Sequence, residues 1–232
     1  MELLSRKLFH VSSGIVMAGP FAGMKYVEEA RGSVFCPKLI GCYEEELQPI
    51  IRQVVKNQYV WIVDVGAAEG YYAIGLARCL PESKVVAFDC EPQAQALCRQ
   101  MACLNGVQER LTVLGACSPA SFNSVLQPHA LVICDCEGYE NELLDPGVVT
   151  ELKACDILVE MHDFLCEGSS ARLQQRFSSS HQIEWIDIHQ RDAMSYPQIN
   201  SLTVREKLLA VNEFRPAKQQ WAWMTVKEGI RS

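Results

Sequence analysis

Tyr59 to Ala77 reads YVWIVDVGAAEGYYAIGLA, an unbroken apolar run, a glycine turn and then a segment of helical character. A continuous apolar run of this kind belongs to a strand covered on both faces, so the stretch predicts strand, tight turn and helix in that order. The alternation continues downstream. KVVAFD predicts a second strand and Gln93 to Leu104 a second helix, stopped by Asn105-Gly106. RLTVLGA, HALVICD and CDILVEMH predict three further strands, and HQIEWIDI and QWAWMTV two late ones around a polar loop and a helical segment from Thr203 to Asn212. Strands alternating with helices imply a parallel sheet with helices on both faces, a Rossmann-like α/β three-layer sandwich. Upstream, Tyr43, Leu47, Ile50, Ile51, Val54 and Val55 recur at helical spacing with Glu44, Glu45 and Glu46 in the expected first turn.

The 232 residues, 49% hydrophobic and 21% charged, suffice for one large domain, expected over 43–232 behind an N-terminal extension or lid over 1–42. A formal charge of −7 repels polyanions, so no nucleic-acid partner is expected. The eleven cysteines are scattered and mostly embedded in apolar runs, which points to a reducing compartment. Cys134 and Cys136 form a C-x-C with no second pair at ligand spacing, so no structural zinc is expected. The only candidate targeting run, Ile15 to Phe21, is short and holds Pro20; no membrane span is expected, and the cytoplasm is the default location.

In an open α/β sheet, ligands bind beyond the carboxyl ends of the strands. The residues there are Asp64 to Tyr71, Asp89 to Glu91, Ala116 with Cys117, Asp135 to Tyr139 and Glu160 to Asp163, and four of these five places carry acids. A dinucleotide fingerprint needs G-x-G-x-x-G, so that backbone amides cradle a pyrophosphate. Here Gly66-Ala-Ala-Glu69-Gly70 lacks the middle glycine, and no Lys or Arg occurs from Tyr59 to Ala77. Asp64 and Glu69 at such a turn favour a ligand bearing positive charge. An acid ending the second strand, Asp89 or Glu91, suits a ribose diol. A small zwitterion with an ammonium, a sulfonium and a ribose fits: S-adenosylmethionine. Each residue also has a plainer reading. Gly66 and Gly70 permit a tight turn, Glu69 meets the helix dipole, and Asp89 caps the next helix.

VDVGAAEGYYAIGLA, VVAFDCEP and LVICDCEGYE together resemble the motifs of class I S-adenosylmethionine-dependent methyltransferases, and E-G-Y-E with ILVEMHD is similar to the FkbM-type O-methyltransferase group. The resemblance spans about Tyr59 to Asp163. It implies a mostly parallel seven-stranded sheet with an antiparallel last strand. It also implies that Asp64, Gly66, Ala67, Glu69 and Gly70 line the methionine end, that Asp89, beside Cys90, takes the ribose, and that Ala116 and Cys117 meet the adenine. Of Tyr71 and Tyr72, which open the helix, one, taken as Tyr71, is expected to close over the cofactor and the other to join the core. Where the group runs directly from acid to proline, this chain has Asp89-Cys90-Glu91-Pro92.

Methyl transfer needs an aligned nucleophile, and a hydroxyl acceptor also needs its proton removed. DCEGYE and VEMHD bring Asp135, Glu137, Glu160 and His162 to adjacent strand ends. Two readings stand: His162 as a base oriented by a carboxylate, which is favoured, or a divalent metal held by the set. In a third, Glu160 and His162 fix loops and Asp135 contacts the cofactor. Nucleobase amino-methylating enzymes of this class tend to carry Asn or Asp, two prolines and an aromatic where this chain has DCEG, so a small-molecule hydroxyl, on a sugar or secondary metabolite, is the expected acceptor. A cofactor-binding module without transfer chemistry, acting as a partner subunit, is the alternative; a nicotinamide-dependent oxidoreductase is disfavoured by the missing glycine. His129 and His181 are expected to be structural, Trp61 to fill the core, Arg215 to lie on the surface and Trp221 to be packed.

Overall fold

A computed structural model describes residues 1–229. Seven strands form one sheet: β1 (Trp61–Val65), β2 (Lys84–Phe88), β3 (Leu111–Leu114), β4 (Leu131–Cys134), β5 (Asp156–Met161), β6 (His181–Asp187) and β7 (Gln220–Val226), in the order β3-β2-β1-β4-β5-β7-β6. β1 pairs parallel with β2 and β4, β2 with β3, and β4 with β5, whereas β7 runs antiparallel to both β5 and β6. The order reverses between β1 and β4, which opens a crevice at their carboxyl ends.

The helices are α1 (Glu2–Ser12), α2 (Phe35–Ile40), α3 (Gln48–Asn57), α4 (Tyr71–Cys79), α5 (Pro92–Asn105), α6 (Pro119–Val125), α7 (Glu140–Leu143), α8 (Ser169–Phe177) and α9 (Val204–Ala210). Their ends follow local chemistry. α5 starts on Pro92 and stops at Gly106 in the left-handed region, as the Asn-Gly signal predicts. α6 and α9 open with capping boxes, Ser118 with Ser121 and Thr203 with Glu206.

Two apolar cores sandwich the sheet. Ile62, Ile133 and Leu158 belong to one, Val63, Val132 and Val159 to the other. Successive residues of one strand face opposite sides, so an unbroken apolar run is what two covered faces require.

The N-terminal segment shares the first core. Leu8, Phe21, Met24 and Leu39 are buried within it, and Ile15 bridges to Lys25. Phe21 lies directly over Gly75 of α4, where an added Cβ would stand 2.6 Å from its ring. The expectation for Glu44 to Glu46 needs correction. Glu44 has left-handed backbone (φ 46), Glu45 and Glu46 enter a short 3-10 turn, and α3 starts only at Gln48. The three acids reach across to distant partners: Glu44 to Arg215, Glu45 to Tyr196 and Glu46 to Arg191.

Candidate active site

A cavity of about 630 Å³ lies at the carboxyl ends of β1 to β4, within the range of small-molecule sites. Its wall includes Asp64, Gly66, Ala67 and Tyr71 from the first strand-turn-helix unit, Asp89, Cys90 and Glu91 after β2, Ala116 and Cys117 after β3, and Asp135 and Glu137 after β4. Arg31, Gly32, Ser33, Lys38 and Tyr43 complete it from the N-terminal side.

The glycine turn is built for closeness. A Cβ at Gly66, whose φ is +83, would stand 1.6 Å from the Asp135 carbonyl oxygen, so this glycine lets the ends of β1 and β4 meet. The turn's amides are occupied. Gly66 and Ala67 donate to the Phe88 carbonyl (2.9 Å each), Gly70 to that of Ala67 (2.8 Å), and Ala68 to Asp89 Oδ2 (2.8 Å). These donors make no phosphate cradle.

Asp64 is 3% exposed, and its Oδ2 is buried without a hydrogen-bond partner. Burial, reinforced by Asp135 and Asp89, pushes its pKa up to about 7. A carboxylate in that state gains from a ligand cation. Asp89 is braced on both oxygens, since Glu91 N–H donates to Oδ1 (2.8 Å), and a carboxyl so held keeps lone pairs for a diol. Glu91 faces Arg31, 3.3 Å away.

Glu69 and Gly70 lie off the wall, which corrects the expected lining. Glu69 is fully buried and receives the Lys38 ammonium, the Tyr26 hydroxyl and the Arg31 backbone N–H (2.9 Å). Lys38, 2% exposed and 5.0 Å from the Tyr43 ring centroid, neutralises it. The turn itself carries no cation, but the N-terminal segment supplies one. Gly70 packs on α5, with Cys98 Sγ 2.9 Å from where its Cβ would be.

Beside Asp135 lies an acidic cluster with one imidazole. His162, just past β5, is fully buried behind the wall. Its Nδ1 is 2.8 Å from Glu140 Oε1, which also accepts from the backbone N–H of Gly138 (3.1 Å) and Cys136 (3.3 Å). Burial works against the ionised form of Glu140, yet these hydrogen bonds hold its pKa below the usual range, so Nδ1 donates. His162 Nε2 faces Asp135 Oδ1 (3.6 Å), Glu137 Oε2 (3.5 Å) and Glu160 Oε2 (3.5 Å), and hydrogen-bonds to none of them. Burial alone would lower the His162 pKa; Glu140 and the other acids outweigh it and raise it.

Glu160, also off the wall, is pushed up to about 10 by burial and by Asp135 and Glu44 against the pull of Arg215. Asp135 goes to about 7, through burial and then Glu44. Arg215, expected at the surface, is largely buried and ties Glu160, Glu44 (2.8 Å) and Glu213 (3.0 Å) together. Neither Arg215 nor Lys38 carries a local signal, because each is defined by partners far away in sequence. Glu140 was within reach of inspection, as the last residue of the E-G-Y-E run. His129 lies in a left-handed turn before β4 with its side chain exposed, and His181 is buried and hydrogen-bonded to the Cys155 carbonyl (2.8 Å); Trp61 is only partly buried and donates to the Val125 carbonyl, and Trp221 is fully buried.

No protein-family model matches the chain. A release factor glutamine methyltransferase from Deinococcus radiodurans is 31% identical over 87 residues, which are 38% of this chain and 30% of that protein. The chain therefore matches less than a third of that relative's length. Among solved structures, the O-methyltransferase from Bacillus cereus in complex with SAH is similar over 97% of this chain and 91% of its own, with 12% identity and a TM-score of 0.52. Cofactor-bound Rv0187 from MTB is similar over 99% and 90%, with 14% identity and a TM-score of 0.52. The chain has the class I S-adenosylmethionine-dependent methyltransferase fold.

Proposed function

We propose that the protein is an S-adenosylmethionine-dependent methyltransferase that methylates a hydroxyl of a small molecule, a sugar or a secondary metabolite. The observation that carries this reading is the state of the glycine turn. Four of its amides are spent inside the protein, while beside them Asp64 holds a buried, unpartnered carboxyl oxygen. The site thus answers a cation and not a phosphate.

S-Adenosylmethionine, when bound, supplies a methyl on a positively charged sulfur, which on transfer to oxygen keeps the C–S electron pair and leaves as a neutral thioether. Asp64 would hold the ammonium end. Arg31, on the cavity wall, offers positive charge to the carboxylate. Asp89 would take the ribose diol, with Cys90 and Glu91 beside it and Tyr71 covering the turn. Ala116 and Cys117 would face the adenine. Asp135 and Glu137 border the acceptor's side, and the hydroxyl's proton must leave there as its C–O bond forms. His162 and Glu160 act from behind that wall, not on the acceptor directly.

The residues E-G-Y-E after β4 and E-M-H-D at β5 support placing the chain in the FkbM-type group. The eleven cysteines are all free thiols, which supports a cytoplasmic enzyme; no helix among the described residues is long and apolar enough to cross a membrane. The charge of −7 argues against nucleic acid as substrate.

Calorimetry with S-adenosylhomocysteine and with NAD tests the cofactor assignment. The expected result is saturable binding of the first and none of the second. Binding of NAD alone would overturn it.

A further inference from the structure

We infer that Asp135, Glu137 and His162 form a binding site for a divalent transition-metal cation, with Glu140 as the residue that positions the imidazole. Oxygen and nitrogen ligands about 2.1 Å from one ion, at angles near or somewhat above a right angle, stand about 3.0–3.4 Å apart. His162 Nε2 lies 3.6 Å from Asp135 Oδ1 and 3.5 Å from Glu137 Oε2, close to such an edge and too long for good hydrogen bonds. The three ligand atoms all fall within 4.8 Å of one another.

The imidazole is the second, independent pointer. His162 is fully buried, its Nε2 has no hydrogen-bond partner, and that atom is aimed into the carboxylates. With Nδ1 held by Glu140, Nε2 is the ring atom left to meet the carboxylates, where a cation can take it as a ligand. Glu140 is itself fixed by two backbone N–H groups, so the carboxylate–histidine arrangement of protein metal centres is complete. Asp135 Oδ1 is likewise buried and unpartnered. Glu137 has left-handed backbone (φ 54) with Gly138 next to it (φ 97), and this turn brings its carboxylate back over the cluster.

One imidazole with two carboxylates suits Mn²⁺, Fe²⁺ or Zn²⁺ better than Mg²⁺ or Ca²⁺, which favour all-oxygen sets. The cation's role rests on the methyltransferase reading. Placed beside the acceptor, it lowers the hydroxyl's pKa, so that the proton passes to water as the C–O bond forms and the C–S bond breaks. The site itself does not depend on that reading.

The test uses the full chain, stripped with a chelator and dialysed, and titrated with Mn²⁺ alone while free Mn²⁺ is read by electron paramagnetic resonance. One Mn²⁺ per chain is expected, displaced by Zn²⁺ at far lower concentration than by Mg²⁺. Glu137→Gln, on a side chain 69% exposed and safe for folding, should weaken binding at least about tenfold, and Glu140→Gln about 10–100-fold. Glu109→Gln, on the exposed surface, should bind as the parent does. An absence of Mn²⁺ binding, or Glu137→Gln binding like the parent, overturns the site. S-Adenosylhomocysteine affinity, measured by calorimetry without metal, separates the two ideas. Mn²⁺ bound without the nucleoside leaves the cation site standing and removes the methyltransferase reading, whereas the nucleoside bound without Mn²⁺ does the reverse.

Discussion

Asp64 shows how one side chain couples folding to binding. Its folded pKa, raised to about 7 by burial, lies above its unfolded value near 3.9. Ionising it in the ligand-free protein is therefore unfavourable. The stability it allows is fully present below about pH 4 and is lost as pH climbs towards 7. The stability gap between Asp64→Asn and the parent should widen over that window and then level off, as urea melts at several pH values will show. A ligand ammonium reverses the preference. The affinity for S-adenosylmethionine should rise between pH 6 and 8 with proton release, and Asp64→Asn should flatten that rise in calorimetry run in two buffers. Lys38 and Glu69 carry a different risk, since both are buried and each is the other's countercharge. Lys38→Met leaves a buried carboxylate unpaired and should cost about 3–5 kcal/mol in denaturant unfolding, with most of it recovered by adding Glu69→Gln.

Among the elements, the strand-turn-helix unit from β1 to α4 is held by geometry that no substitute for glycine meets. Gly66→Ala would drive a methyl group into the Asp135 carbonyl and force left-handed backbone on alanine. A loss of about 4 kcal/mol or more is expected, seen as an unfolded or aggregated product in circular dichroism and size-exclusion chromatography. The strands were readable in the sequence because both faces of the sheet are covered, and α5 and α9 because their ends are marked by glycine or a capping box. The start of α3 was misread for a physical reason. A run of glutamates imitates a dipole-adapted first turn, yet Glu44 to Glu46 are ion-pair and hydrogen-bond partners for residues more than a hundred positions away. The site divides in the same way. Residues at the carboxyl ends of strands, such as Asp64, Asp89 and Asp135, could be named from local pattern, whereas Lys38 and Arg215 owe their places to tertiary packing that no periodicity encodes.

For the whole molecule, the first forty or so residues are part of the main core and one wall of the cavity. Phe21→Ala should cost about 3–5 kcal/mol, as a core aromatic does, and a denaturant midpoint shared by fluorescence and circular dichroism would show that segment and sheet unfold as one unit. That arrangement bears on how the chain is made. Synthesis releases Phe21, Lys38 and their neighbours before α4 and Glu69 exist to receive them, so their apolar and charged groups must wait in water, or with a chaperone, until that unit emerges. The wall from Arg31 to Tyr43 is thus made before the turn that it faces across the cavity.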